Sequence, residues 1–310
     1  MNRASSATGW VRNPVMKSPR LDPAQASSYE LGWTYNPITG CLNHINGLCK
    51  GGGFPCYAYK LANGRLKQRY LANKRTGYDG GAIGKDRWLI DTDPFYPRFW
   101  EEKLSQPIGY ATTEQADGIL AAKPPKGKGI FVCDMSDLFG IGVPEEWTRK
   151  VLRVIEHTSY NRYYLLTKQP QNLIKFSPFP ENCWVGVTAT DYWKYVDACN
   201  YLSQVKANVK FLSLEPLLSW DENPQHFFKS SGISWLIIGA QTNPYKPPEI
   251  SWVREIVEAA DKAGVKIFLK NNLRPLLIPE DCRKPNYLTE DMFWASEKAQ
   301  LRQEMPINSR

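Results

Sequence analysis

Apolar residues in this chain fall into short, compact runs, and polar residues follow each run at once. Gly129-Ile-Phe-Val-Cys133, Tyr163-Tyr-Leu-Leu166, Trp184-Val-Gly-Val187, Lys210-Phe-Leu-Ser-Leu214, Trp235-Leu-Ile-Ile238 and Val265-Lys-Ile-Phe-Leu269 read as strands apolar on both faces. The aromatic piece Glu30 to Pro37 adds a leading strand that ends at its proline. Between the runs the period changes to that of a helix. Pro144 to Thr158 opens with a proline and two glutamates, where a fixed φ and negative charge are favoured. Asp191 to Val205 is a second helix, and a third runs from a Ser251 cap to about Ala263, stopped by Gly264.

Strands buried on both faces and separated by helices predict an α/β fold. The expectation is a partial or full (β/α) barrel of mainly parallel strands over residues 30–275, with a Cys-rich loop at the C-terminal rim. Residues 1–29, rich in Ser, Ala, Pro and Arg, read as a poorly ordered arm. Residues 57–125 read as a helical or irregular insertion, within which 76–92 look irregular and Asp93 to Trp100 opens a short helix. Residues 276–310 form a C-terminal extension.

Three of the seven cysteines lie within sixteen residues, spaced Cys41-x7-Cys49-x6-Cys56, among Gly47 and Gly51-Gly52-Gly53. Thiolates are soft ligands, and glycines let a short loop wrap them around a small inorganic core. Three ligands leave one position open, as in a centre that binds something else. A closed zinc site of the same cysteines plus His44 is the rival. Packing as buried thiols sits badly with polar surroundings, and a disulfide sits badly with a chain lacking a secretory apolar core after Met1. A reducing cytoplasm is the expected location.

With 39 Lys+Arg against 31 Asp+Glu, the net charge of +8 favours an anionic partner. No apolar run is long enough to cross a bilayer, so no membrane is expected. Residues 57–75 hold Lys60, Arg65, Lys67, Arg69, Lys74 and Arg75 with no acidic residue. Interleaved with Tyr59 and Tyr70, they suit a nucleic-acid backbone and its bases, or simply a solvated helix face.

Chemistry-bearing residues recur just past the strand ends, where parallel α/β folds bind ligands. They are Asp137, Lys168, Thr188, Glu215, Gln241 and Lys270, with Ser136 beside the first. The bland alternatives are helix capping and an ion pair between Lys168 and Glu215.

Several short patterns together resemble a known family. They are Trp33-Thr-Tyr-Asn-Pro37-x-x-Gly40-Cys41, Cys56-Tyr57-Ala58, Phe131-Val-x-x-Met135-Ser-Asp-Leu-Phe139, Leu166-Thr-Lys168-x-Pro170, Trp184 to Val187, Glu215 to Leu218, Ile238-Gly239 and Phe268-Leu-Lys270. In this order, over residues 31–272, they resemble a radical S-adenosylmethionine family first labelled from phage proteins, more distantly similar to spore photoproduct lyase. The resemblance implies that Cys41, Cys49 and Cys56 hold a [4Fe–4S] cluster whose open iron binds S-adenosyl-L-methionine. Reductive cleavage then releases a 5′-deoxyadenosyl radical that abstracts hydrogen from a substrate, and a reductant such as flavodoxin or ferredoxin is required. Tyr57 matches the family's aromatic beside the last cysteine. Both cysteine gaps are wider than the common Cys-x3-Cys-x2-Cys. From their rim position, Lys168, Glu215 and Asp137 are the candidate catalytic residues, and Asp137 and Ser136 are candidates for the methionine or ribose end of the cofactor. Thr188 and Glu215 would lie further along it, Gln241 would orient the adenine, and Lys168 and Lys270 would neutralise a carboxylate or an anionic substrate. The substrate and the oligomeric state stay open.

Overall fold

The computed structural model describes residues 1–3, 10–11, 32–77, 85–108, 126–221, 225–277, 295–296 and 300–306. Its frame is a sheet of seven parallel strands in sequential order: β1 (Trp33–Tyr35), β2 (Gly129–Val132), β3 (Arg162–Thr167), β4 (Cys183–Thr188), β5 (Val209–Leu214), β6 (Trp235–Ile238) and β7 (Lys266–Leu269). The six apolar runs thus form the strands expected of them, with ends moved by at most a residue, and of the leading aromatic piece Trp33–Tyr35 is strand.

Side chains alternate across the sheet, and both faces are buried. Ile130, Val132, Tyr163, Leu165, Val185, Leu212, Leu236 and Ile267 pack under the helices. Phe131, Tyr164, Trp184, Phe211, Trp235 and Phe268 form an aromatic layer on the other side. Seven helices are labelled in chain order: α1 (Tyr57–Asn63), α2 (Lys67–Ala72), α3 (Lys85–Thr92), α4 (Glu145–His157), α5 (Tyr192–Ser203), α6 (Gln225–Ser231) and α7 (Ile250–Ala263). Of these, α4, α5 and α7 supply Val151, Ile155, Ala198, Leu202, Val253 and Ile256 to the first face.

A closed barrel does not form, because both outer strands are already occupied. Asn2–Arg3 pairs antiparallel with β1. At the far edge the C-terminal extension runs along β7: Leu269 N–H donates to the Arg302 carbonyl at 2.8 Å, and Glu304 N–H to the Ile267 carbonyl at 2.8 Å. Covering the edges protects them from adventitious pairing and leaves none free to close the sheet.

The stretch read as a loose arm is anchored where it is described. Trp10 and Val11 are 2 % and 0 % exposed and join the aromatic layer. Trp10 meets Phe131, Tyr164, Phe211 and Trp235 at ring distances of 5.2, 5.7, 5.7 and 6.0 Å.

Three local expectations change. Asp93 to Trp100 is not helical: Arg98–Phe99 pairs with Ile38–Thr39, and only Glu101–Lys103 makes a 3-10 turn. Lys85–Thr92 is helical rather than irregular. One cause serves both, since the fully buried Arg98 guanidinium donates to the carbonyls of Asn73, Ile90 and Asp93 at 2.6, 2.7 and 2.9 Å. It thereby satisfies backbone groups at the end of α3 that no local partner would meet. Finally, Glu249 and not Ser251 occupies the N-cap position of α7, whereas Asp191 caps α5 by accepting from Lys194 N–H at 2.9 Å, and Gly264 ends α7 at φ 74°.

Candidate functional site

The cysteine loop leaves β1 and is pinned at its start. Gly40 N–H donates to the Met135 carbonyl at 2.9 Å, the Ser136 hydroxyl donates to the Gly40 carbonyl, and Cys41 N–H donates to the Phe95 carbonyl at 2.8 Å. A small hairpin follows, His44–Ile45 against Leu48–Cys49, turned by Asn46 and Gly47 at φ 48° and 82°. That Asn-Gly pair is the dipeptide such a turn prefers. Cys49 N–H then donates to the Phe54 carbonyl at 2.9 Å and Cys56 N–H to the Gly47 carbonyl at 2.8 Å, and Cys56 occupies the N-cap position of α1 without a side-chain cap bond.

The loop also touches residues beyond the sheet's strands. The Thr190 hydroxyl donates to the Gly51 carbonyl at 2.6 Å. A Cβ on Gly51 would stand 2.9 Å from Lys168 Cδ, and one on Gly52 3.1 Å from Leu218 Cδ1. Behind the loop, Ala58, Ala62, Tyr70, Phe95, Trp100 and Met135 make a small separate core on which Cys41 and Cys56 both pack.

None of the three sulfurs is in a disulfide. Burial pushes the Cys41 thiol up to about 12; Asp137, Cys56 and Cys49 push the same way, and the Asn43 N–H donated to the sulfur opposes them. Cys41 and Cys56 pack on the same small core, and Cys49 ends the hairpin between them. In donor chemistry they fit an iron–sulfur cluster, since soft sulfurs that shed their protons on binding are what such a group requires. They are not pre-gathered as ligands, because among the described residues no group of three His, Cys, Asp or Glu side chains is close enough to hold a metal ion. His44 is engaged elsewhere: its Nδ1 accepts from Gly47 N–H at 3.3 Å and its ring packs on Tyr59 and Phe95.

The residues singled out after the strands divide into two groups. Asp137 is a bracket, accepting from Phe139 N–H at 3.0 Å, the Thr167 hydroxyl at 2.9 Å and Lys168 N–H at 3.0 Å. Burial raises its pKa, and these three donors restrain the rise. Ser136 is spent on Gly40, and Gln241 sits in an exposed hairpin where Nε2 donates to the Pro244 carbonyl at 3.0 Å. The second group continues the alternation of the aromatic face to and past the strand ends, Thr188 being the last residue of β4. Lys168 packs its stem on Gly51 and its ammonium near the Phe54 ring. Thr188 is 5 % exposed, and its hydroxyl has no hydrogen-bond partner among the described residues. Glu215 pairs with Lys270, not with Lys168, and burial draws the Lys270 ammonium down to about 7.

Tyr57 projects its ring into the open, 55 % exposed, while its hydroxyl donates to the Asp134 carbonyl. Tyr59 and Tyr70 face inward, Tyr59 on His44 and Phe95 and Tyr70 in the small core, so the aromatics interleaved with the basic residues are not the ones presented outward.

Sequence reasoning missed Thr190, which fastens the loop, and Asn272, whose amide brackets both backbone groups of Ala240 at 3.1 and 2.8 Å. A hydroxyl or amide two or three residues past a strand was the available signal, and it does not name its partner. No helix among the described residues is long and apolar enough to cross a membrane.

The model of a family described as "Protein of unknown function (DUF5131)" matches residues 30–274. The chain belongs to that family. The match takes in the whole parallel sheet, the cysteine loop and every strand-end residue named above. No curated protein and no solved structure matches the chain.

Proposed function

We propose that this member of the DUF5131 family is a radical S-adenosylmethionine enzyme. On this reading its open sheet serves as a partial barrel, and the cysteine loop crowns the C-terminal rim. The observation that carries it is the fastening of a three-cysteine loop, through Thr190 to Gly51 and Lys168 beside Gly51, next to a polar layer that ends the parallel strands. Cys41, Cys49 and Cys56 would hold a [4Fe–4S] cluster, with the glycines of the loop supplying the freedom to draw them together. Bound there with S-adenosyl-L-methionine, the group supplies one-electron cleavage of a sulfonium bond and hence a carbon radical able to abstract hydrogen.

The chain's own residues bind and orient. Lys168 offers a positive charge beside the loop for a carboxylate. The unpartnered Thr188 hydroxyl is available to a polar ligand atom. Lys270, drawn towards neutrality by burial, pairs with Glu215 and can release or take a proton at Nζ near pH 7. Asp137 and Ser136 are positioning residues, since their oxygens hold the backbone of the strand-end loops.

Anaerobic reconstitution with iron and sulfide tests the proposal. The expected result is a brown protein with about four irons per chain that bleaches on reduction. It should release 5′-deoxyadenosine from S-adenosyl-L-methionine, and Cys41→Ala, Cys49→Ala and Cys56→Ala should each lose the iron. Full iron content in all three variants, or a colourless protein with one tight zinc, overturns it; the second result would favour a zinc-stabilised binding module.

A further inference from the structure

The helices that follow the last cysteine carry charge of one sign. All six cations of residues 57–75 are exposed, and no acidic residue lies among them. Arg75 is matched by Glu101, and Arg69 lies over the Trp100 ring. Lys60, Arg65, Lys67 and Lys74 remain as an outward basic surface. A helix exposed merely for solubility usually intersperses both signs.

This surface is fixed relative to the sulfurs. Ala58 and Ala62 of α1 and Tyr70 of α2 are buried in the same small core that Cys41 and Cys56 pack against. At a helical rise of about 1.5 Å per residue, Lys60 stands only about 6 Å along α1 from Cys56.

Large side chains with apolar faces are exposed as well. Tyr57 is 55 % exposed, and Trp193, just past β4 in the first turn of α5, is 70 % exposed. The hydroxyl of Tyr57 is tied to Asp134, so the ring is held open rather than left to collapse. Rigid aromatic faces beside a basic track are the two elements that bind single-stranded nucleic acid. A bilayer fits less well, because the buried residues of α1 and α2 leave these helices no apolar face to insert.

We propose that α1 and α2 dock single-stranded nucleic acid, with its phosphates along Lys60, Arg65, Lys67 and Lys74 and a base stacked on Tyr57. That this nucleic acid is also the substrate rests on the enzyme reading above; the docking itself does not. The test is fluorescence anisotropy with labelled oligothymidylate and oligouridylate, using the full chain before and after reconstitution, across about 50 to 300 mM salt. Affinity should fall with salt at a log–log slope of about −2 to −3, as expected for three or four phosphate contacts on a single strand. Lys60→Glu/Arg65→Glu/Lys67→Glu should bind at least about tenfold more weakly, with unchanged thermal unfolding. Tyr57→Ala should weaken binding about fivefold or more, since a stacked base is worth at least about 1 kcal/mol. Equal binding by wild type and triple variant overturns the proposal. So does competition by polyglutamate or anionic vesicles as effective as that by the oligonucleotide. Binding that persists in protein that fails to take up iron supports the docking surface while refuting the enzyme reading, so the two fail separately.

Discussion

Lys270 reaches across the end of a neighbouring strand to pair with Glu215. The two residues follow β7 and β5, and Gly239, which follows β6 between them, leaves the room: a Cβ there would stand 3.0 Å from Lys270 Cδ and 3.1 Å from Glu215 Cγ. The pair therefore depends on a third residue that makes no polar contact with it.

Gly239→Ala should push the pair apart and cost roughly 1–3 kcal/mol of stability, the usual range for overpacking. Urea unfolding measures the loss. In a Lys270→Ala background the penalty should shrink by at least about 0.5 kcal/mol. An undiminished penalty would show that the glycine acts on the backbone alone.

The buried ammonium gives stability a pH dependence of known sign. Lys270 falls from 10.5 to about 7 on folding. Between these values the unfolded chain holds a proton that the folded chain has released, so stability rises with pH. The contribution is complete above 10.5 and is lost as pH falls towards 7. Relative to Lys270→Met, the wild type should gain up to about 1.4 kcal/mol per pH unit inside this window. Parallel profiles for the two proteins would refute it.

Thr190→Val removes the hydroxyl that donates to Gly51 while keeping the side chain's shape. The expected cost is about 1 kcal/mol, with faster amide exchange across residues 47–56 and lower iron uptake on reconstitution. Thr190→Ser should restore all three, which a simple packing role would not.

Asp137→Asn separates a structural bracket from a ligand. An amide cannot accept at both oxygens, so at least one buried donor among Phe139 N–H, the Thr167 hydroxyl and Lys168 N–H loses its acceptor, at roughly 1–3 kcal/mol. A drop in the melting temperature without iron present is the expected outcome. A variant as stable as the wild type would return Asp137 to the list of residues that contact ligand directly.

The strands were legible because burial on both faces writes continuous apolar runs that no other element of that length requires, as in Trp235–Ile238. The partnership of Lys270 was not, because it depends on which strands lie side by side, and Lys168 looked equally suitable for Glu215. Helix α3 was hidden for a similar reason: the groups at its C-terminal end are satisfied by Arg98, from outside the helix. The cysteine and glycine spacing marked out the loop, but not that Thr190, about 140 residues away in the chain, would fasten it.

Trp10 has a consequence for access. With its indole seated among Phe131, Tyr164, Phe211 and Trp235, the inner half of the aromatic face is already filled by the protein's own beginning. On the enzyme reading proposed above, a guest on that side of the sheet would be confined to the top storey, at Thr188, Lys168 and the Glu215–Lys270 couple. Trp10 would thus serve as a floor, setting how deep such a visitor could sink.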